Sequence, residues 1–262
     1  MSAAPHETVT RAIFTAREAG RTALVPFLTA GYPEPDGFLP TLEAITAVAD
    51  VVEIGVPFSD PMADGMTIQR SSHAALAKGE SLAWIFERLQ EARGRLSAPL
   101  VMMSYLNPLL AFGYERLAAR ARETGVCAFI VPDLPYEESG ELRAALDDRG
   151  LGLVQLVTPA TPAARLEMLC EASRGFVYAV TVTGITGGSE GLPLGLAAYR
   201  DGVAARARLP VCAGFGIRSA ADVANVGRHA AGAIVGSALV EVLEAGGDPA
   251  AFLRGLGGRP QP

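Results

Sequence analysis

Two carboxylates, Glu53 and Asp64, are the residues of this chain whose setting best suits chemistry. Glu53 interrupts an apolar run, Val51-Val52-Glu53-Ile54, just before Gly55. Such a run has the pattern of a parallel strand buried on both faces. A glutamate inside it is costly unless it is paired or faces a cleft. The least costly place is the strand's C-terminal end, with the carboxyl pointing into a site. The apolar pattern then gives way to turn residues, Pro57, Ser59, Asp60 and Pro61, and the loop delivers Asp64 ahead of Gly65. One acid on a rigid strand and one on the loop after it form a pair suited to two-group proton transfer. Spacing alone leaves a second reading open, in which Glu53 is a structural ion-pair partner and Asp64 belongs to an ordinary Asp-Gly turn. Asp60, in Ser-Asp-Pro, reads as a structural turn initiator or a contact at a partner surface, and Asp133, in Val-Pro-Asp-Leu-Pro at a strand end, as a loop anchor or a residue supporting the site from behind.

A second signal lies in three glycine-bearing segments near the end of the chain. Gly184, Gly187 and Gly188 follow one apolar run, Gly214-Phe215-Gly216 the next, and Gly236-Ser237 opens an apolar helical segment, SALVEVL. Glycines let backbone N–H groups approach an anion, and a helix N-terminus adds a favourable dipole. Taken singly, each glycine reads as a tight turn; the three together predict a phosphate site. Arg218 is the one basic residue beside them, so binding is expected to rest mainly on backbone donors. The nearly uncharged stretch Gly184–Gly195 is either a closing lid or a disordered loop.

Other chemistries find little support. Lys78 is the single lysine, and Schiff-base or pyridoxal-phosphate catalysis needs a lysine in the site. It ends a helical pattern just before Gly79, where a solvated cation suits the helix dipole. His6, His73 and His229 do not cluster, which disfavours a metal-dependent mechanism, and no cofactor is expected. Cys127, Cys170 and Cys212 lack metal spacing and predict reduced, buried thiols in a cytoplasmic chain. The net charge of −6 carries no basic block, so nucleic acid is not an expected partner. No apolar run approaches the roughly 20 residues of a membrane span, and the N-terminal stretch reads as a short amphipathic helix rather than an export signal.

The elements that must position these residues follow from the repeat of apolar runs. Eight occur, at Leu24–Thr29, Val51–Gly55, Leu100–Ser104, Cys127–Val131, Gly152–Val157, Phe176–Val180, Val211–Gly214 and Gly232–Val235. Helical patterns separate them, among them Tyr114–Thr124, Glu137–Arg149 and Ala220–Gly227, with Asp36, Ser81, Thr161 and Ser219 as candidate N-caps. Alternating strands and helices over 262 residues predict an α/β fold, a closed (β/α)8 barrel in one domain over residues 1–262. The absence of a Gly-x-Gly-x-x-Gly after the first strand argues against a dinucleotide-binding open sheet. The fifth strand, interrupted by Gln155, is the least regular. In such barrels the site lies at the C-terminal ends of the strands. Tyr178, alternating with apolar neighbours, reads by default as a core tyrosine lining the barrel.

Several motifs carry a resemblance to a known family. VEIGVPFSDPMADG around the two acids, PFLTAGYP, SYLNP, VPDLPYEE, VTGITG, GFGI and GAIVGSA occur in order along nearly the whole chain, and together they resemble the α subunit of tryptophan synthase. The resemblance implies a (β/α)8 TIM barrel with an extra N-terminal helix, and a retro-aldol cleavage of indole-3-glycerol phosphate to indole and glyceraldehyde 3-phosphate. It implies Glu53 as the proton shuttle and Asp64 as the group beside the ring N–H. It further implies Phe27, Met103, Ile130, Tyr178 and Phe215 as the indole pocket, Gly187, Gly216, Gly236 and Ser237 as the phosphate site, and Thr186 as a lid residue. Protonating carbon near neutral pH leads us to expect a Glu53 pKa raised by apolar surroundings.

The family works with a pyridoxal-phosphate β subunit in an α2β2 complex, which the loop of Pro57, Asp60 and Pro61, with Asn107-Pro108, is expected to contact. A free-standing indole-glycerol phosphate lyase and a non-catalytic regulator of the β subunit are the alternatives. Three departures from the family pattern stand out. Met66 takes a place commonly held by proline, Gly-Gly-Ser follows Thr186, and Met103 replaces a frequent leucine. The first two bear on loop and lid stability, the third on pocket shape.

Overall fold

The computed structural model describes residues 3–180, 196–214 and 216–259. Eight parallel strands close into a barrel in sequential order. They are β1 (Ala23–Thr29), β2 (Val52–Gly55), β3 (Leu100–Met103), β4 (Val126–Ile130), β5 (Gly152–Val157), β6 (Val177–Val180), β7 (Val211–Gly214) and β8 (Gly232–Val235). No strand end lies more than one residue from its predicted place, and β5 runs unbroken through Gln155, which is buried, its N–H donating to Ser173 Oγ at 3.0 Å.

Alternation along the strands sorts the core into two layers. Val25, Val101, Ala128, Ile130, Val154, Cys212 and Ile234 pack together inside the barrel, while Leu24, Leu28, Val52, Ile54, Met102, Phe129 and Val177 pack outward against the helices. Burial on both faces is why these strands read as continuous apolar runs rather than as alternating ones. The expected extra helix, α1 (Pro5–Glu18), lays Val9, Ile13 and Ala16 against the interior layer. His6 N–H and Thr10 Oγ1 donate to the carbonyls of Gly150 and Gly175, just ahead of β5 and β6. The helix therefore caps the N-terminal end of the barrel and leaves the other end open.

The outer helices are α2 (Phe38–Val48), α3 (Met66–Ala77), α4 (Leu82–Glu91), α5 (Leu106–Phe112), α6 (Tyr114–Thr124), α7 (Gly140–Asp147), α8 (Ala163–Ala172), α9 (Leu196–Arg206), α10 (Ala220–Gly227), α11 (Ser237–Glu244) and α12 (Pro249–Gly255). None of the described helices is long and apolar enough to cross a membrane. Ser81 and Ser219 cap α4 and α10 as expected, each hydroxyl accepting an N–H three residues on. Asp36 does not cap a helix: it lies within a 3-10 turn, Pro35–Gly37, and Gly37 precedes α2. Thr161 does not either; its hydroxyl accepts from Thr158 N–H at 2.9 Å, closing a turn before Pro162, which precedes α8. The single helix expected over Glu137–Arg149 is divided, because Ser139 Oγ donates to the Tyr136 carbonyl at 2.6 Å and ends a 3-10 turn there. Short hydroxyl side chains offer the backbone such competing bonds.

Met66 is the first residue of α3, and the preceding Gly65 is extended, with φ −71° and ψ 161°. The first helical position leaves its N–H outside the helix ladder, so proline fits it, and an extended residue before proline is favoured. M66P is expected to raise stability by about 0.4–1 kcal/mol through reduced freedom of the unfolded chain. Equilibrium urea unfolding checks this; a loss of stability would show that the loop needs the freedom that methionine leaves it.

Candidate active site

At the open end of the barrel the strands and the loops after them enclose a cavity of about 420 Å³. Glu53, Asp64, Phe27, Met103, Ile130, Tyr178, Gly216, Gly236 and Ser237, all predicted site residues, line it together. Thr186, Gly187 and Phe215, and the proposed lid with them, lie outside the described residues. A wider groove of about 690 Å³ between α1 and the end of α8 sits at the opposite end of the barrel and is lined by three arginines and three glutamates, with none of these residues.

Register explains how the apolar part is built. Phe27 of β1 pairs with Glu53 of β2, and Glu53 with Val101 of β3. Two residues further along β2, Gly55 has no side chain because the Phe27 ring fills that space: a Cβ there would stand 2.3 Å from Phe27 Cζ. Gly55 thus fixes the tilt of an aromatic wall. Met103 and Ile130 pair across β3 and β4. Leu156 and Ile234, which sequence reasoning did not single out, complete the lining from β5 and β8; their alternation with outward-packing neighbours was the available signal.

Glu53 is 1% exposed, and its Oε2 has no hydrogen-bond partner. Burial pushes its carboxyl up to about 8, and the nearby Asp64 charge pushes the same way. Burial also raises Asp64, to about 6, against an opposing hydrogen bond from Tyr105. Tyr105 Oη donates to Asp64 Oδ2 at 2.9 Å and accepts the Ala63 N–H at 2.9 Å. The Tyr105 ring stacks on Phe58, with centroids 5.0 Å apart, and Gln69 Nε2 donates to the Asp64 carbonyl at 2.8 Å. The loop acid is therefore held by its own carboxyl, its own carbonyl and the amide before it. Sequence reasoning missed the role of Tyr105; the motif SYLNP marked the residue, but not the contact made across 41 positions.

Near pH 7 the two carboxyls stand in opposite states, Glu53 protonated and Asp64 ionised. Environments that push two acids apart in this way assign an acid and a base. Tyr178 faces the same cavity, and burial holds its phenol far above the ordinary value, with Glu53 and Asp64 adding to the shift. Its phenol is thus neutral. Asp133 acts as the expected loop anchor, accepting the Leu106 N–H at 2.9 Å at the start of α5.

At the other end of the cavity, Gly236 precedes α11 and Ser237 is the first residue of that helix. Gly216 holds a φ of +65°, a conformation that favours glycine. Gly236, Ser237 and Ala238 at the start of α11 line this space, and a helix N-terminus offers an anion backbone N–H groups and the positive end of the dipole. An elongated ligand with an apolar ring at one end and an anion at the other matches this division.

Two measurements check the electrostatics. The folded chain holds the Glu53 proton more tightly than the unfolded chain does, so stability falls as pH rises from the ordinary 4.5 to about 8. E53Q is expected to lose that dependence, gaining on the order of 2–4 kcal/mol over the parent at pH 8.5 relative to pH 4.5; denaturant unfolding at both pH values measures it. Y105F removes the bond that favours ionised Asp64 and is expected to move the Asp64 titration upward from about 6. Carbon-detected NMR of the aspartate side chains would show an unchanged titration if the tyrosine were only a packing element.

The comparisons with known proteins agree with this geometry. The family model for the tryptophan synthase alpha chain matches residues 13–252. The tryptophan synthase alpha chain of Roseiflexus sp. (strain RS-1) is 50% identical over 232 residues, 87% of this chain and 88% of that one. That of Nitratidesulfovibrio vulgaris (strain DP4) is 45% identical over 249 residues, 93% and 95% of the two chains. Among solved structures, a chain of tryptophan synthase from M. tuberculosis in its aminoacrylate-bound form superposes with a TM-score of 0.85 at 32% identity, covering 95% of this chain and 97% of that chain. The tryptophan synthase alpha chain from Legionella pneumophila subsp. pneumophila gives 0.84 at 30% identity, with 95% of each chain covered. Fold, motifs and relatives converge, and the chain belongs to the tryptophan synthase alpha chain family.

Proposed function

We infer that this chain is a carbon–carbon lyase that cleaves indole-3-glycerol phosphate to indole and glyceraldehyde 3-phosphate in tryptophan biosynthesis. The observation that carries the assignment of roles is the pair of acids lining one cavity, Glu53 buried with an unpartnered Oε2 and Asp64 held by the Tyr105 hydroxyl, with burial pushing the Glu53 carboxyl further up than that of Asp64.

The reaction divides between them as follows. The indole ring rests between Phe27, Met103, Ile130 and Tyr178, and the phosphate at Gly216, Gly236 and Ser237. Glu53 gives its proton to ring carbon C3, forming an indolenine cation and leaving a carboxylate. Ionised Asp64, beside the ring N–H, stabilises that cation. The Glu53 carboxylate then takes the proton of the hydroxyl on the adjoining glycerol carbon. The oxygen electrons form the aldehyde C=O, and the carbon–carbon bond pair returns to the ring, which leaves as neutral indole. Glu53 ends protonated, as it began. The ring itself is the electron sink, so Glu53 alone carries both protons and Asp64 contributes charge only.

Membership of a family named for one chain of tryptophan synthase implies a β-subunit partner. We place the contact on the cavity face, at the loop of Pro57, Asp60 and Pro61 and at Asn107-Pro108, in an α2β2 complex whose β subunit holds pyridoxal phosphate and receives the indole. Exposed Met62 lies on the same loop, 90% accessible.

Incubating the chain with indole-3-glycerol phosphate and following indole release tests the reading. The rate should rise through about pH 6 as Asp64 ionises and fall through about pH 8 as Glu53 loses its proton. E53Q is expected to retain ligand binding and lose cleavage, by at least about 10²-fold; full activity in E53Q would require another acid. A β subunit added to the same assay should accelerate release, and no acceleration, with no complex in sedimentation, would remove the proposed assembly.

A further inference from the structure

The anion end of the cavity is not built from backbone alone. Arg218, on the loop between β7 and α10, is the one guanidinium among its described walls. The loop is pinned at its main chain, where the Arg218 N–H donates to Asp222 Oδ2 at 3.0 Å, within the capping box of α10. It is pinned again at the side chain. Nη1 donates to Glu241 Oε2 at 2.5 Å and Nη2 to Glu241 Oε1 at 2.9 Å. Glu241 stands one turn into α11, the helix whose start borders the same cavity. It is also reached from α3 by Thr67 Oγ1, at 3.5 Å.

A two-point grip of this kind is more than an exposed ion pair needs. It fixes a planar cation at the edge of a cavity, with three of the five guanidinium N–H groups not used by Glu241. The Arg218 side chain is 59% exposed, so those groups are open to a ligand. The cavity also holds ionised Asp64, in a chain of net charge −6, so an incoming phosphate dianion meets repulsion that a helix start, worth about half a charge, does not offset alone.

We propose that Arg218 is a side-chain ligand for the phosphate of the substrate and that Glu241 is the positioning residue that holds its guanidinium at the cavity edge. The proposal rests on the functional reading above and adds a specificity determinant to it: a ligand carrying a dianionic phosphate is selected over its uncharged counterpart by charge-assisted guanidinium N–H groups as well as by backbone donors. Because the phosphate lies away from the bond that breaks, Arg218 binds ground state and transition state alike, and its loss appears in KM rather than in kcat.

Calorimetric titration of the full chain with glycerol 3-phosphate and inorganic phosphate, and with indole as the phosphate-free control, tests this directly. R218A is expected to weaken both phosphate probes by about tenfold and to leave indole affinity unchanged. R218K, which keeps the charge without the forked grip, should recover part of the loss, and E241Q should fall between R218A and the parent. The salt dependence of glycerol 3-phosphate binding should flatten in R218A. Parent-like phosphate affinity in R218A, or an equal loss of indole affinity, would overturn the ligand assignment, and parent-like affinity in E241Q would overturn the positioning role. Phosphate binding that depends on Arg218 in a chain releasing no indole would uphold the ligand assignment and overturn the reaction instead.

Discussion

A carboxyl buried without a partner is the constraint on which this molecule turns. Glu53 lies inside a strand whose every residue is buried, its Oε2 unpaired, and an ionised carboxylate there would cost several kcal/mol. The chain meets the constraint by keeping the group protonated rather than by supplying a cation. That choice turns a structural cost into a proton donor available near neutral pH. The same burial would be idle chemistry without a second acid, and Asp64 provides one whose charge raises the first. The state of one carboxyl is set partly by the other, so the two titrate as a pair.

The rest of the cavity end keeps that pair in place. The barrel contributes rigidity: Glu53 is held by parallel pairing on both sides, to Phe27 and to Val101. The loop contributes a partner fixed by side-chain hydrogen bonds rather than by strand pairing. Tyr105 grips both the Asp64 carboxyl and the Ala63 amide. Ser72 of α3 accepts the Phe58 N–H at 2.7 Å and donates back to its carbonyl. Thr29 at the end of β1 shares a hydroxyl contact of 2.7 Å with Ser71 of α3. The loop between β2 and α3 is thus tied at its start and its end, while its crest carries Met62, 90% exposed, and α3 opens on Met66, 83% exposed.

How much of this could be read from the chain follows from the range of each interaction. Strand ends were legible to within one residue because parallel strands buried on both faces must be apolar throughout, and glycines or turn residues stop them. Glu53 was legible because a charge inside such a run is an exception that calls for a reason. Caps were legible where the hydroxyl serves the helix that follows, as at Ser81 and Ser219, and not where a turn takes it instead, as at Thr161. Tyr105 and Glu241 were not legible as partners. Each acts across the barrel mouth on a residue distant in sequence, and nothing in local spacing says which distant carboxylate a tyrosine or arginine will meet. Gly55 lay between these cases, since its position was plain but the Phe27 ring that requires it belongs to another strand. Thr186, Gly187 and Phe215 lie beyond what the described residues can place.

The separation of tasks along the cavity has an energetic logic. Where the proposed reaction seats the ring, the walls are apolar, and the low dielectric that raises Glu53 would also strengthen the attraction of Asp64 for a cation formed on that ring. The anion end is more open, with Gly216 and Arg218 exposed, and there binding rather than chemistry is served. A cation as strong as a guanidinium placed beside Glu53 would favour the ionised form and remove the proton that the reaction needs. Keeping the one described guanidinium of the cavity at its far edge, with Glu241 balancing its charge, allows a phosphate to be gripped without discharging the acid. Movement of the loop acts on the same balance in reverse. If Asp64 withdraws, its repulsion on Glu53 weakens and the carboxyl falls back toward the value that burial alone sets, so the position of the loop and the readiness of the acid are one variable.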